Sequence, residues 1–286
     1  MPLNHFLFHM ISMNTTAALI LNFLLIGVLS ASIAYAIMRW SFSPTRHAEL
    51  ARKFDGTNIS GLNSGAIILL SLGIAFVFSD ISNVHIRAKT SLLQEADAVR
   101  TLGRLALNID SSVGAPLMAA TRNYTSDVLH KEWPALQQGN SQAIRKGESS
   151  ALQPLTVMSD IVYAPENLTR LPAITSMHLG NLVTRIREQR LLRIDASDFS
   201  IGIRGLLLAS ITLLASSALL SLAMLTKPSV QYLSNFLLYL VTLLALFLAY
   251  IAQNPFSGLD IISSAPMQEA LDRLTNMQLT LSLIHI

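Results

Sequence analysis

Few side chains in this sequence have the type and spacing that chemistry requires. Serine hydrolysis needs a nucleophile held by a base, and no Gly-x-Ser-x-Gly elbow occurs. Zinc proteolysis needs two histidines one helical turn apart with a glutamate between, whereas His130-Lys131-Glu132-Trp133 has no second histidine. The seven histidines are scattered and read as surface or packing residues. The absence of cysteine excludes disulfide frameworks, thiolate metal sites, iron–sulfur clusters and cysteine nucleophiles together. No glycine-rich loop carries the lysine and hydroxyl that cradle a nucleotide phosphate. No catalytic residue, metal site or cofactor is expected, and an enzyme is the least favoured class.

Three groups of residues remain. The first is Ser71, Ile74, Phe76, Phe78 and Ser79, in an apolar run with no charged side chain at mid-depth. Proton relays and voltage sensors need such charges, but passive conduction does not. Hydroxyls such as Ser71 and Ser79 can replace part of an ion's hydration shell, and Ile74, Phe76 and Phe78 can form a constriction that gates by dewetting. The second is the basic run Arg185, Arg187, Arg190 and Arg193, of which the last three repeat about once per helical turn. Such a run makes an anion-attracting rim where several subunits meet around an axis. A solvated face interrupted by Glu188, or contact with anionic headgroups, is the commoner arrangement. The third comprises Glu95, Asp97 and Arg104, read as ion-pairing partners, and Glu132-Trp133, read as an aromatic anchor in preference to a polar site.

The elements that must position these groups follow from hydropathy. The chain is 51% hydrophobic and 13% charged with a mean hydropathy of +0.48, too apolar for an ordinary soluble domain. Met1 to Thr16 hold no Lys or Arg, so no cleaved signal is predicted. Four apolar runs, about 17–38, 61–80, 205–226 and 231–252, are each long enough to cross a hydrocarbon core of roughly 30 Å as a helix. The first carries a small-residue stripe, Gly27, Ser30, Ala31, Ser32, Ala34 and Ala36, that permits close helix packing. Asp80 at the end of the second reads as a hydrated boundary carboxylate rather than an ion-path residue. Lys227-Pro228 leaves only a tight turn between the last two runs, which makes them antiparallel neighbours.

The prediction is an all-α integral membrane protein: four transmembrane helices in two hairpins separated by a helical extramembrane module. Residues 1–82 form the N-terminal segment and first hairpin, 83–203 the module, 204–258 the second hairpin, and 259–286 a tail whose Met267, Leu271, Leu274 and Leu281 suit an amphipathic helix. Without a Pro or Gly break before Gly103, the second span is expected to run on as one long helix past Leu92, Val99, Leu102, Leu105 and Ile109. A second helix should follow the Asp110–Pro116 turn and stop at Pro134, with a polar loop over 137–147. A third should span Glu148–Tyr163, and a fourth should start near Asn167 or Pro172 and run into the arginines. The net charge of +3 and pI near 9.3 suit a neighbour of anionic lipid and disfavour nucleic acid. The charge counts on the two sides nearly cancel, so the side of the module is left open.

Glu95-Ala96-Asp97-Ala98-Val99 with Leu102 and Arg104, then Tyr124, Val128, Glu132-Trp133-Pro134, Arg187 to Arg190-Leu191, and last Pro255-Phe256-Ser257-Gly258 occur in an order that resembles the bestrophin-like membrane domain family of bacteria and plants. The resemblance runs from the first span to just past Gly258. The family's closing motif reads Asp-Arg-Pro-Phe-x-Gly; Gln253 and Asn254 stand here at its first two positions, so both charges are absent. Bestrophins proper are pentameric anion channels with four spans and a cytosolic helical region between the second and third. The resemblance therefore implies a homo-oligomer in a bacterial inner membrane, with the module cytosolic, conducting anions such as chloride passively. A non-conducting scaffold or sensor, whose module binds a protein partner, is the alternative. The expected partners are the lipid bilayer, further copies of the chain and, for the alternative, that protein.

Overall fold

The computed structural model describes residues 56–147, 150–198, 211–217, 228–257 and 261–284, with Val28, Ser32 and Ala36. All regular structure among them is helical. By internal contacts the chain divides into two units, Met1–Asp80 with Ile201–Tyr250, and Ile81–Ser200 with Ile251–Ile286.

Helix α1, Gly56–Leu107, runs for 52 residues. Its inward positions follow a seven-residue repeat, with Leu70, Val77, Ser91 and Ala98 in one column and Ile81, Ala88, Glu95 and Leu102 in the other. Glu95 thus occupies a core position of an otherwise apolar column. The helix ends where the Asn108 side chain donates to the Arg104 carbonyl at 2.9 Å, and Asp110 starts the next by accepting from the Ser112 amide at 2.9 Å. That hydrogen bond to Ser112 holds the exposed Asp110 carboxyl below the usual carboxylate range.

Helix α2, Ser111–Asp127, begins earlier than the expected turn, so Pro116 lies inside it. Gly114 passes so close to the Ala106 carbonyl oxygen that a Cβ would collide with it. A π-helical turn, Val128–Glu132, leads into α3, Trp133–Gln137. Pro134 does not end the helical path as expected; it sits in the first turn of α3, where an amide is not needed. The expected polar loop contains a short helix, α4, Ser141–Arg145, capped by the Asn140 side chain and burying Ser141, Ala143 and Ile144. Two glycines flank it, Gly139 at φ 67° and Gly147 at φ 84°, a left-handed backbone that other residues resist.

Helix α5 is Leu152–Tyr163 and α6 is Pro165–Arg170. Helix α7, Ala173–Ser197, starts after Pro172, so the alternative starts at Asn167 and Pro172 belong to two helices. Helix α8 is Pro228–Ala252 and α9 is Ala265–Ile284. One core joins Leu92, Val99 and Leu102 of α1 with Leu117 and Tyr124 of α2, Leu155 and Met158 of α5, Leu179 and Ile186 of α7, and Met267, Ala270 and Leu274 of α9. Each fully buried aliphatic side chain contributes about 1.5–3 kcal/mol. The tail helix α9 is therefore part of this core, with Leu274 seated over Gly103 where a Cβ would clash.

The other unit is differently distributed. Ile67, Ile68, Leu72, Phe76 and Phe78 of α1 and Phe236, Leu240, Val241, Leu244 and Phe247 of α8 are exposed, while Val77, Thr242, Leu246 and Ala249 are buried. Among the described residues no helix is long and apolar enough to cross a membrane. The run 17–38 lies outside the described residues except for Val28, Ser32 and Ala36, and 205–226 except for 211–217.

Candidate functional site

The unit built from Ile81–Ser200 and Ile251–Ile286 closes around five polar side chains. Helix α1 supplies Glu95, α2 supplies Tyr124, the π-helical turn supplies Glu132, and α7 supplies Arg190 and Arg193 one turn apart. The π turn matters locally: the Trp133 amide bonds to the Val128 carbonyl five residues back. The residue thereby added to the turn lets Glu132 and Trp133 both face inward, leaving Lys131 outside.

Glu95, Tyr124, Glu132 and Arg193 are each 0% exposed and Arg190 5%. Arg193 grips Glu95 with two nitrogens, Nε to Oε2 at 2.8 Å and Nη2 to Oε1 at 3.2 Å. Its Nη2 also donates to Glu132 Oε2 at 2.9 Å. Glu132 Oε1 accepts from Arg190 Nε at 2.9 Å, from Arg190 Nη2 at 2.5 Å and from the Ala151 amide at 2.7 Å. Arg190 Nη2 reaches Ser150 Oγ at 2.9 Å, and the Tyr124 hydroxyl donates to Glu95 Oε1 at 2.5 Å. Two guanidiniums and two carboxylates cancel. Among the described residues, Arg193 Nη1 is the fully buried atom of this cluster left without a partner.

Burial alone would raise the Glu132 carboxyl, but Arg193 and Arg190 outweigh it and hold the group below the usual carboxylate range. Burial would likewise disfavour charge on Arg193, and Glu95 and Glu132 reverse that, raising the guanidinium further. Tyr124 is pushed well above the ordinary phenol range, first by burial and then by the Glu95 charge beside it. Glu132 and Arg193 therefore stay ionised at neutral pH, and Tyr124 stays protonated. It holds α1, the π turn, the start of α5 and α7 together.

The expected basic run divides. Arg187 is exposed and donates to Ser159 Oγ at 2.9 Å. Arg190 and Arg193 correct the expectation of a rim, a solvated face or a lipid-facing stripe: they point into the core because Glu132 and Glu95 neutralise them there. Glu95 pairs within the module, as does Asp97 with Arg100 at 3.7 Å, whereas Arg104 is exposed. Ala96 is 0% exposed, a small residue at a crowded position. Trp133 meets Phe256 edge-on, with ring centroids 5.4 Å apart and planes at 81°. Pro255 is buried, and its carbonyl accepts from the Ile262 amide at 2.9 Å. Asn254 donates to the Leu136 carbonyl at 3.2 Å and accepts from the Phe256 amide at 2.9 Å. Gly258 lies outside the described residues.

The pore candidates share α1 but not one face. At about 100° per residue, Ser71, Ile74 and Phe78 fall within about 60° of one another, whereas Ser79 and Phe76 lie about 80° and 140° from Ser71. Ser71 is exposed, its hydroxyl donating to the Ile67 carbonyl at 2.9 Å, and Phe76 and Phe78 are 55% and 37% exposed. Sequence reasoning missed the cluster as a unit. The available signal was two acids, Glu95 and Glu132, each set among residues at core spacing and matched in number by two arginines one turn apart.

A long helix leading into a helical module clamped by a neutral buried charge cluster defines an all-helical protein. The chain belongs to the bestrophin-like family: the Bestrophin-like domain matches residues 33–267. Two single-substitution variants of a bacterial bestrophin homologue from Klebsiella pneumoniae share the fold. One matches with a TM-score of 0.55 at 14% identity, covering 91% of this chain and 98% of that one. The other matches with a TM-score of 0.54 at 15% identity, covering 90% and 98%. No curated protein matches the chain.

Proposed function

We propose that the protein is a bestrophin-like, homo-oligomeric membrane protein that conducts ions passively, anions such as chloride in particular. The observation that carries this reading is the outward distribution of apolar side chains on α1 and α8, from Ile68 at 65% exposed to Val241 at 62%. Water does not tolerate so extensive an apolar surface, whereas lipid or further subunits cover it without cost. With the four apolar runs at 17–38, 61–80, 205–226 and 231–252, this distribution supports four spans in two hairpins; the module between them is assigned to the cytosolic side of a bacterial inner membrane by analogy with bestrophins. On α1, Ser71, Ile74 and Phe78 form a stripe in which Ser71 and Phe78 are exposed and Ile74 is half-buried. Brought around an axis by several subunits, it offers hydroxyls beside an apolar constriction. Phe76 and Ser79 then face a neighbouring subunit or lipid.

Chloride efflux from liposomes containing the purified full-length protein tests the reading. The expected result is efflux above that of empty liposomes, strongly reduced by Ser71→Trp, which places an indole in the stripe. No efflux from folded, inserted protein would overturn it. One observation favours the second reading, a non-conducting scaffold: Ile174 and Met177 at the start of α7 are 78% and 63% exposed, and Tyr163, which packs on Gly180 of the same helix, is 54% exposed. That apolar patch on the module suits a protein partner.

A further inference from the structure

A cavity of about 700 Å³ opens on the module between α1 and α7, with Val84, Ser91 and Ala196 in its wall. It is in the size range of small-molecule sites, roughly 300–1,000 Å³. Its α1 wall presents Arg87, Thr90 and Gln94, each about one turn after the last, and Gln189 faces them from α7. Among the described residues Arg87 has no carboxylate within ion-pairing distance. The α7 wall ends in Asp195 and Asp198. A single cation serves both of them: Arg145 Nη2 lies 2.5 Å from Asp195 Oδ1 and 2.8 Å from Asp198 Oδ2, and the Ser141 hydroxyl also donates to Asp198. One guanidinium against two carboxylates leaves this end of the cavity with an unbalanced negative charge. Ile86 and Leu192, 60% and 51% exposed, form an apolar rim.

Arg87 comes two helical turns after Asp80 on α1. That distance suits headgroup depth beside a hydrocarbon core. An unpaired guanidinium with a neighbouring hydroxyl recognises a phosphate, and an under-neutralised carboxylate pair recognises an ammonium. We propose that this cavity is a binding site for a zwitterionic phospholipid bearing a primary ammonium. Its phosphate sits on Arg87 and Thr90, its ammonium faces Asp195 and Asp198, and its acyl chains pass over Ile86 and Leu192. The proposal rests on the membrane-embedded reading above and is independent of conduction.

The test uses full-length protein, delipidated in detergent and titrated with phosphatidylethanolamine, with phosphatidylglycerol of the same chains, or with water-soluble glycerophosphoethanolamine, bound species being counted by native mass spectrometry. Phosphatidylethanolamine should bind in preference to the other two. Arg87→Gln should weaken its binding about tenfold or more, the loss of a charge-assisted contact. Thr90→Val should weaken it less, and Asp195→Asn with Asp198→Asn should shift preference toward phosphatidylglycerol. Unchanged far-UV circular dichroism and elution volume establish that each variant is folded. Equal binding by wild type and Arg87→Gln overturns the site, and binding of glycerophosphoethanolamine as tight as that of the lipid overturns a lipid as its occupant. Flotation with vesicles after an alkaline wash separates the two readings. Protein that fails to float refutes membrane embedding, whereas protein that floats without headgroup preference refutes this site alone.

Discussion

Replacing Arg193 by methionine removes one of two cations from a place where two carboxylates have no access to water. Methionine retains much of the volume, so the change is mainly one of charge. Glu95 keeps only the Tyr124 hydroxyl, having lost both guanidinium contacts, and Glu132 keeps Arg190, Ala151 and nothing on its Oε2. The cluster then carries one uncompensated negative charge. Removing one partner of a buried pair costs about 3–5 kcal/mol, a large share of the roughly 5–15 kcal/mol that holds a typical domain folded. Removing the partner's charge as well reverses part of this. In the double variant Arg193→Met with Glu95→Gln, the cluster is neutral again, Glu132 keeps Arg190, and the new amide oxygen at position 95 still accepts from the Tyr124 hydroxyl. The double variant should therefore be more stable than Arg193→Met alone, by about 2 kcal/mol, although it departs further from the natural sequence. Urea unfolding of the full-length protein in detergent, followed by far-UV circular dichroism, measures both. A single variant within about 1 kcal/mol of wild type, or a double variant less stable than the single, would falsify the view that charge balance governs this cluster.

Two further outcomes follow from the same geometry. Glu132 is held below the usual carboxylate range, so its contribution is complete above the unfolded-state pKa of about 4.3 and is lost as pH falls through the lower, folded-state value. The stability gap between wild type and Glu132→Gln should therefore be widest near neutrality and narrow in acid. A gap independent of pH between 7 and 3 contradicts the ionised state assigned to Glu132. Gly114→Ala forces a methyl group against the Ala106 carbonyl, a backbone atom that cannot swing aside, and should cost about 1–3 kcal/mol in thermal unfolding. Wild-type stability for this variant would mean that α2 shifts away from the end of α1 freely.

The sequence by itself determined the helical class and most of the helix order. Apolar spacing in α1, the proline at 172 and the glycine-free stretch after Gly73 are local signals, since helix periodicity and backbone restriction act within a few residues. It also carried the family resemblance, through short segments at Glu95, Tyr124, Glu132-Trp133 and Pro255-Phe256. It did not reveal what Arg190 and Arg193 do. Glu95 and Arg193 are 98 residues apart and Glu132 and Arg190 are 58 apart, and an arginine run looks the same in one dimension whether it faces solvent or a buried acid. Only tertiary packing turned α7 so that two of its arginines meet carboxylates from α1 and the π turn. Packing also set the extra residue of that turn, the burial of α4 in a segment of loop-like composition, and the seat of Leu274 over Gly103. Those features depend on which faces meet, and pairing of that range is absent from local spacing.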